Sequence, residues 1–88
     1  MEQNKKKLFV ASLSFRMRDD DLQEIFSSVG NVVNAKVVID RDGRSRGYGF
    51  VEMETEDEAD NAINKLNKTI HFNREIVVQA QKPKEQNL

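Results

Sequence analysis

Apolar residues recur at helical spacing in two segments of the chain. Leu22, Ile25, Phe26 and Val29 fall at i, i+3, i+4 and i+7, and Ala59, Ala62, Ile63 and Leu66 repeat the spacing. The first set predicts a helix over 19–29, with Asp19, Asp20 and Asp21 in its first turn, where the helix dipole favours negative charge. Asp19 is the expected cap and Gly30 the stop. The second helix opens at Thr55, whose pairing with Glu58 three residues on matches a capping box. Runs rich in β-branched and aromatic residues predict strands at Lys7 to Leu13, Val32 to Ile39, Tyr48 to Met53 and Glu75 to Ala80. Asp42-Gly43 signals a turn in the Asp40 to Ser45 loop, and Phe72 to Arg74 a second turn. The order βαββαβ predicts an α+β domain over 7–81, between flexible tails at 1–6 and 82–88. Both helices have one narrow apolar face, so both pack on one side of a four-stranded antiparallel sheet. The other side of the sheet is left to solvent.

Strand alternation decides which side chains lie on that open side. Tyr48, Phe50 and Glu52 share one face of their strand, opposite Gly49, Val51 and Met53. Burying an unpaired glutamate is costly, so the Glu52 face is the wet one and Tyr48 and Phe50 share it. Lys7 places Phe9 on the wet face of the first strand by the same logic. Clustered exposed rings usually mark a binding surface. Rings flanked by basic residues suit unpaired nucleobases, which stack on any aromatic face. Gly47 and Gly49 are expected to leave room beside the platform.

Charge qualifies this picture. The formal net charge of the 88 residues is −1, and the pI is about 5.8, which weighs mildly against a nucleic-acid ligand. The charges are segregated, however. Acids gather at 19–24 and 54–60, whereas bases gather at Lys5 to Lys7, at Arg41, Arg44 and Arg46, and at Lys82 and Lys84. A near-neutral chain can thus present one basic surface. No cysteine is present, which excludes disulfides and thiolate metal sites and points to a reducing compartment, the cytoplasm or, in a eukaryote, the nucleus. The basic Lys5 to Lys7 before an apolar-looking run lacks a small-residue cleavage site and is not read as a signal peptide. No stretch is apolar enough to span a membrane.

Two motifs carry a resemblance. Arg46-Gly47-Tyr48-Gly49-Phe50-Val51-Glu52-Met53 resembles the octapeptide of the RNA recognition motif family, K/R-G-F/Y-G/A-F-V-x-F/Y, at every defined position except the last. Leu8-Phe9-Val10-Ala11-Ser12-Leu13 resembles the family's strand-one hexapeptide, and the likeness extends from about Lys7 to Ala80. It implies a ferredoxin-like sandwich that binds single-stranded RNA. Phe9 and Phe50 would stack two bases, Tyr48 would lie against the sugars, and Arg46 would pair with a phosphate. By position Lys7, Asn34, Lys36 and Val38, together with Val77, Gln79, Gln81 and Lys82, would line the sheet or the segment after it, where family members read base edges. Arg41 and Arg44 would add phosphate contacts. Ser12 stands where the family usually has asparagine, and Arg18 where a Ser or Thr cap is common. Met53 replaces the closing aromatic on the core side, a place methionine fills well. The chain looks similar to small stand-alone members of bacteria and organelles.

Other chemistries lack their constellations. His71, the single histidine, reads as a turn residue, and neither a metal set nor a general base with an oriented partner is visible, so no cofactor is expected. The glycines do not open a helix as a phosphate-binding loop would. A non-catalytic, monomeric RNA-binding module is the leading expectation. The alternatives are single-stranded DNA binding, and a protein-docking module that uses the acidic first helix.

Overall fold

The computed structural model describes residues 5–81. Along the chain follow β1 (Lys7–Ala11), α1 (Asp19–Ser27), β2 (Val32–Ile39), β3 (Ser45–Met53), α2 (Glu56–Leu66), β4 (Ile70–His71), β5 (Arg74–Glu75) and β6 (Val77–Ala80). Strands β2, β3, β1 and β6 form one antiparallel sheet in that spatial order. Leu8, Val10, Val51, Met53 and Val78 from one face of this sheet share a buried cluster with Leu22 and Phe26 of α1 and Ala59, Ala62 and Leu66 of α2. Both helices therefore cover the same face, as the ferredoxin-like sandwich requires. Val37 of β2 joins that core, and Leu13, Met17 and Ile76 complete it from the connecting segments. Each fully buried side chain of this kind contributes about 1.5–3 kcal/mol relative to exposure.

The ends of the elements differ from the periodicity for local reasons. Strand β1 stops at Ala11 because Ser12 takes a left-handed backbone, φ 63°. Leu13 nevertheless remains tied to the sheet, its N–H donating to the Gly47 carbonyl at 2.9 Å. Helix α1 ends at Ser27, and the Val29 N–H closes a tighter turn onto the Phe26 carbonyl at 3.1 Å. Arg18, not Asp19, is the N-cap residue, and its N–H donates to the Asp21 carboxylate at 2.9 Å. Asp19 instead accepts the Val37 N–H at 2.7 Å, which fastens the start of α1 to β2. In α2 the Thr55 hydroxyl oxygen accepts the Glu58 N–H at 3.1 Å. The Glu58 carboxylate accepts from the Thr55 hydroxyl and from both the backbone and the side-chain amide of Asn31.

The segment after α2 departs most from expectation. The strand foreseen from Glu75 is two pieces, because Arg74–Glu75 pairs with Ile70–His71 as a separate hairpin before the sheet strand begins at Val77. Phe72 and Asn73, at φ 55° and 66°, make its two-residue turn, the twist that such a short loop favours. His71 lies in this hairpin, not in a turn, with its Nε2 2.9 Å from the Thr69 hydroxyl. The Asn67 side-chain carbonyl accepts the Val78 N–H at 2.9 Å and so docks the end of α2 against β6.

Candidate nucleic-acid interface

The uncovered face is built from cross-strand rows. Phe50 of β3 lies opposite Phe9 of β1 and Lys36 of β2, and Phe9 lies opposite Gln79 of β6. On one side of this row Glu52 pairs with Lys7 and Asn34. On the other side Tyr48 pairs with Ala11, and Ala11 with Val77. Residues directly opposite in a ladder project to the same face, so the strand phase inferred from Lys7 and Glu52 is the phase of the structure. Val10, Val51 and Met53, on the other phase, have no exposure.

The three rings support one another. Phe9 is 5.6 Å from both Tyr48 and Phe50, centroid to centroid, and Tyr48 meets Phe50 edge-on at 6.5 Å. These separations lie in the favoured range for aromatic pairs, roughly 4.5–7 Å. Each ring is half-buried by its neighbours and still has a free side. The Lys7 ammonium lies 5.6 Å from the Phe50 centroid, within cation–π range. Phe9, Phe50, Gln79, Ala80 and Gln81 line an open hollow of about 390 Å³. Strand β6 and the residue after it thus form one wall, and the rings form the floor.

The reading of the glycines needs correction. A Cβ on Gly49 would lie 2.4 Å from the Lys36 carbonyl oxygen and 3.0 Å from the Val37 Cα. Gly49 therefore allows β2 to approach β3 and is buried among backbone, away from the rings. Gly47 has φ +81°, a left-handed conformation that favours glycine, and a Cβ there would lie 3.1 Å from the Phe15 ring. The register of β2 against β3 shifts on both sides of the paired stretch. Between Val32 and Asn34 one extra residue is inserted, and Val33 and Asn34 both become exposed while Val32 and Ala35 pack on the core.

The remaining predicted residues fall in two groups. Asn34, Lys36 and Gln79 are exposed and Val77 and Val38 half-buried, with all but Val38 lying in the cross-strand rows. Lys36 also reaches the Asp19 carboxylate at 3.9 Å, an exposed ion pair at the sheet edge. Arg41, Arg44 and Arg46 are exposed at the β2–β3 loop and the start of β3. That loop is held by Asp40, whose carboxylate accepts the N–H groups of Asp42 and Arg44 at 2.9 and 3.0 Å. Its backbone closes with a 2.8 Å bond from the Asp40 N–H to the Arg44 carbonyl. The arginines thus project from a shaped turn. Lys82, another predicted contact, lies outside the described residues.

Phe15 was not foreseen. It is 70% exposed, the most exposed large apolar side chain described, and shares a hollow of about 410 Å³ with Arg18, Arg44 and Ser45. A loop residue belongs to no period, and the one available signal is a bulky ring among the polar residues of the β1–α1 connection. Arg74 was also missed: its guanidinium donates to the Ser12 carbonyl at 3.3 Å and to the Ser12 hydroxyl at 3.4 Å. Among the described residues no group of three or more His, Cys, Asp or Glu is placed to hold a metal ion, and no helix is long and apolar enough to cross a membrane.

Comparison with known proteins places this geometry. The family model described as RNA recognition motif matches residues 8–77. The chain is 46% identical over 71 residues to polyadenylate-binding protein 4 of Arabidopsis thaliana, covering 81% of this chain and 11% of that protein. It is 48% identical over 75 residues to the chloroplastic 29 kDa ribonucleoprotein B of Nicotiana sylvestris, covering 84% of this chain and 26% of that protein. The chain thus spans a tenth to a quarter of the length of these relatives. Among solved structures, that of RNA binding protein PG1 superposes with a TM-score of 0.82 at 38% identity, covering 90% of this chain and 99% of that one. A Sex-lethal protein–RNA complex superposes with a TM-score of 0.86 at 28% identity, covering 92% of this chain and 49% of that one.

Proposed function

The chain belongs to the RNA recognition motif family, and on that premise we propose that it binds single-stranded RNA on the uncovered face of its sheet. The observation that carries the proposal is the ring trio: Phe9, Tyr48 and Phe50 lie within 6.5 Å of one another, outside the core and opposite both helices. Partial burial of each ring fixes its orientation before any ligand arrives, which lowers the ordering cost of binding. Phe9 and Phe50 each receive a base, Tyr48 lies against the sugars, and Arg46 holds a phosphate. Arg41 and Arg44 extend the phosphate track, and Lys36, Asn34, Val77, Gln79, Gln81 and Lys82 contact base edges at the periphery. Phe15, with Arg18 and Arg44 beside it, offers a further exposed ring past the end of β1.

One platform of this size supports micromolar affinity, about −8 kcal/mol. The chain is a monomeric, non-catalytic binding module that acts on RNA in the cytoplasm or, in a eukaryote, the nucleus. An amide-resolved NMR titration with a mixed-sequence RNA octamer, repeated with DNA of the same sequence, tests it. Shifts concentrated on β1, β3 and Gln79 to Gln81, stronger for RNA, are expected. Shifts confined to α1, or none, would reject it.

A further inference from the structure

Glu52 is the anomaly of the uncovered face. A carboxylate beside a surface meant for a polyanion repels phosphate and lowers affinity. Its partly exposed side chain sits directly opposite Lys7 on β1 and Asn34 on β2, one row from the Phe9–Phe50 pair. An acid and a base in cross-strand register would ordinarily pair. Here the Lys7 ammonium lies over the Phe50 ring instead, and among the described residues the Glu52 carboxylate has neither a hydrogen bond nor an ion pair. Around the Phe50 ring thus lie a cationic donor, 5.6 Å from its centroid, and, one row further along β3, the two free acceptor oxygens of Glu52.

From this juxtaposition we infer that Glu52 and Lys7 select guanine at the nucleotide stacked on Phe50. The inference rests on the stacking reading above and adds the identity of the base. A carboxylate accepts only, through two oxygens side by side. Guanine alone presents two adjacent donors on its Watson–Crick edge, N1–H and the 2-amino group, with the O6 acceptor next to them. The carboxylate takes the two donors in a charge-assisted, two-pronged contact, the geometry that makes carboxylate–guanidinium pairs strong. The Lys7 ammonium donates to O6. Adenine and cytosine turn a ring-nitrogen acceptor toward the carboxylate beside their amino group, and uracil flanks its single donor with two carbonyls. Each of these places a lone pair against a negative charge. Single-stranded bases are read on this edge once they are splayed onto a sheet. The half-exposed acid that weakens general phosphate affinity therefore supplies discrimination, a penalty against the wrong base as much as a contact with the right one.

Fluorescence-anisotropy titrations with heptauridylate and its variants carrying a central guanine, adenine, cytosine or inosine test this on the full chain. Wild type should favour the guanine RNA over the adenine, cytosine and all-uridine RNAs about ten-fold, with inosine, which lacks the 2-amino group, in between. Glu52→Gln replaces one acceptor by a donor and should compress the ranking to less than about three-fold while leaving binding to heptauridylate as tight or tighter. Lys7→Gln should weaken guanine and inosine RNAs alike. The readout is a ratio between RNAs on one protein sample, so an unfolded fraction cancels. Equal binding of all five RNAs by wild type, or a guanine preference that survives Glu52→Gln, overturns the inference. Phe50→Ala separates the two readings: if it weakens all five RNAs while they rank equally on wild type, stacking stands and the guanine assignment falls. If no RNA binds wild type, both fall.

Discussion

Replacing Gly49 with alanine is the most direct probe of how the interface is held in register. The added methyl carbon would lie 2.4 Å from the Lys36 carbonyl oxygen, a full 1 Å inside ordinary contact at 3.4 Å, and 3.0 Å from the Val37 Cα. Both obstacles are backbone, so no rotamer change relieves them, and β2 must move away from β3. Overpacking of this kind costs about 1–3 kcal/mol, and β2 cannot yield freely because the Val37 N–H is also bonded to Asp19 at 2.7 Å. For a domain of this size that cost lowers Tm by about 4–24 °C. Displacement of β2 should also pull Asn34 and Lys36 out of their rows, so RNA binding should weaken beyond what the unfolded fraction explains. Thermal unfolding followed by circular dichroism gives the stability, and anisotropy well below Tm gives the binding. Gly43→Ala is the control, since its φ of +83° is strained but nothing lies within 4 Å of the new carbon; its cost should stay near 1–2 kcal/mol. A Gly49→Ala protein that melts within a degree or two of wild type would refute the close-approach account of this position.

Two further outcomes are expected. Asn67→Ala leaves the Val78 N–H, on a residue only 1% exposed, without its 2.9 Å acceptor; urea unfolding should show a loss of about 1–3 kcal/mol. Arg41→Gln combined with Arg44→Gln should leave stability unchanged and flatten the dependence of log K on log salt by up to about 1.4, about 0.7 for each single-strand phosphate that is no longer neutralised. An unaltered salt slope would remove these arginines from the phosphate track.

The sequence was most informative where a charge fixed the phase of a strand. Lys7 and Glu52 cannot be buried unpaired, so their strands had one tenable orientation, and the three rings followed. The helices were legible because Leu22 and Phe26, like Ala62 and Leu66, repeat at a spacing no strand uses. What escaped notice has no period. The bulge at Val33 is invisible in a run of valines, since each would suit either face. The β4–β5 hairpin has strands of two residues, too short for a pattern, and its turn uses Phe72-Asn73 in place of a glycine. Gly49 was legible as a special position but not for the right reason, because the Lys36 carbonyl that crowds it belongs to a partner strand whose register cannot be read from either strand alone. Asp19 was misread as a cap because its actual partner, the Val37 N–H, is distant in sequence.

The affinity of the Phe9→Ala, Phe50→Ala double variant for a short single-stranded RNA, measured beside wild type on protein shown to be folded, bears most directly on the ring platform. With each stacked base worth about 1–3 kcal/mol, binding should weaken at least 30-fold or so. A double variant that binds within two-fold of wild type would contradict the account, because the nucleobases would then rest on some surface other than these rings.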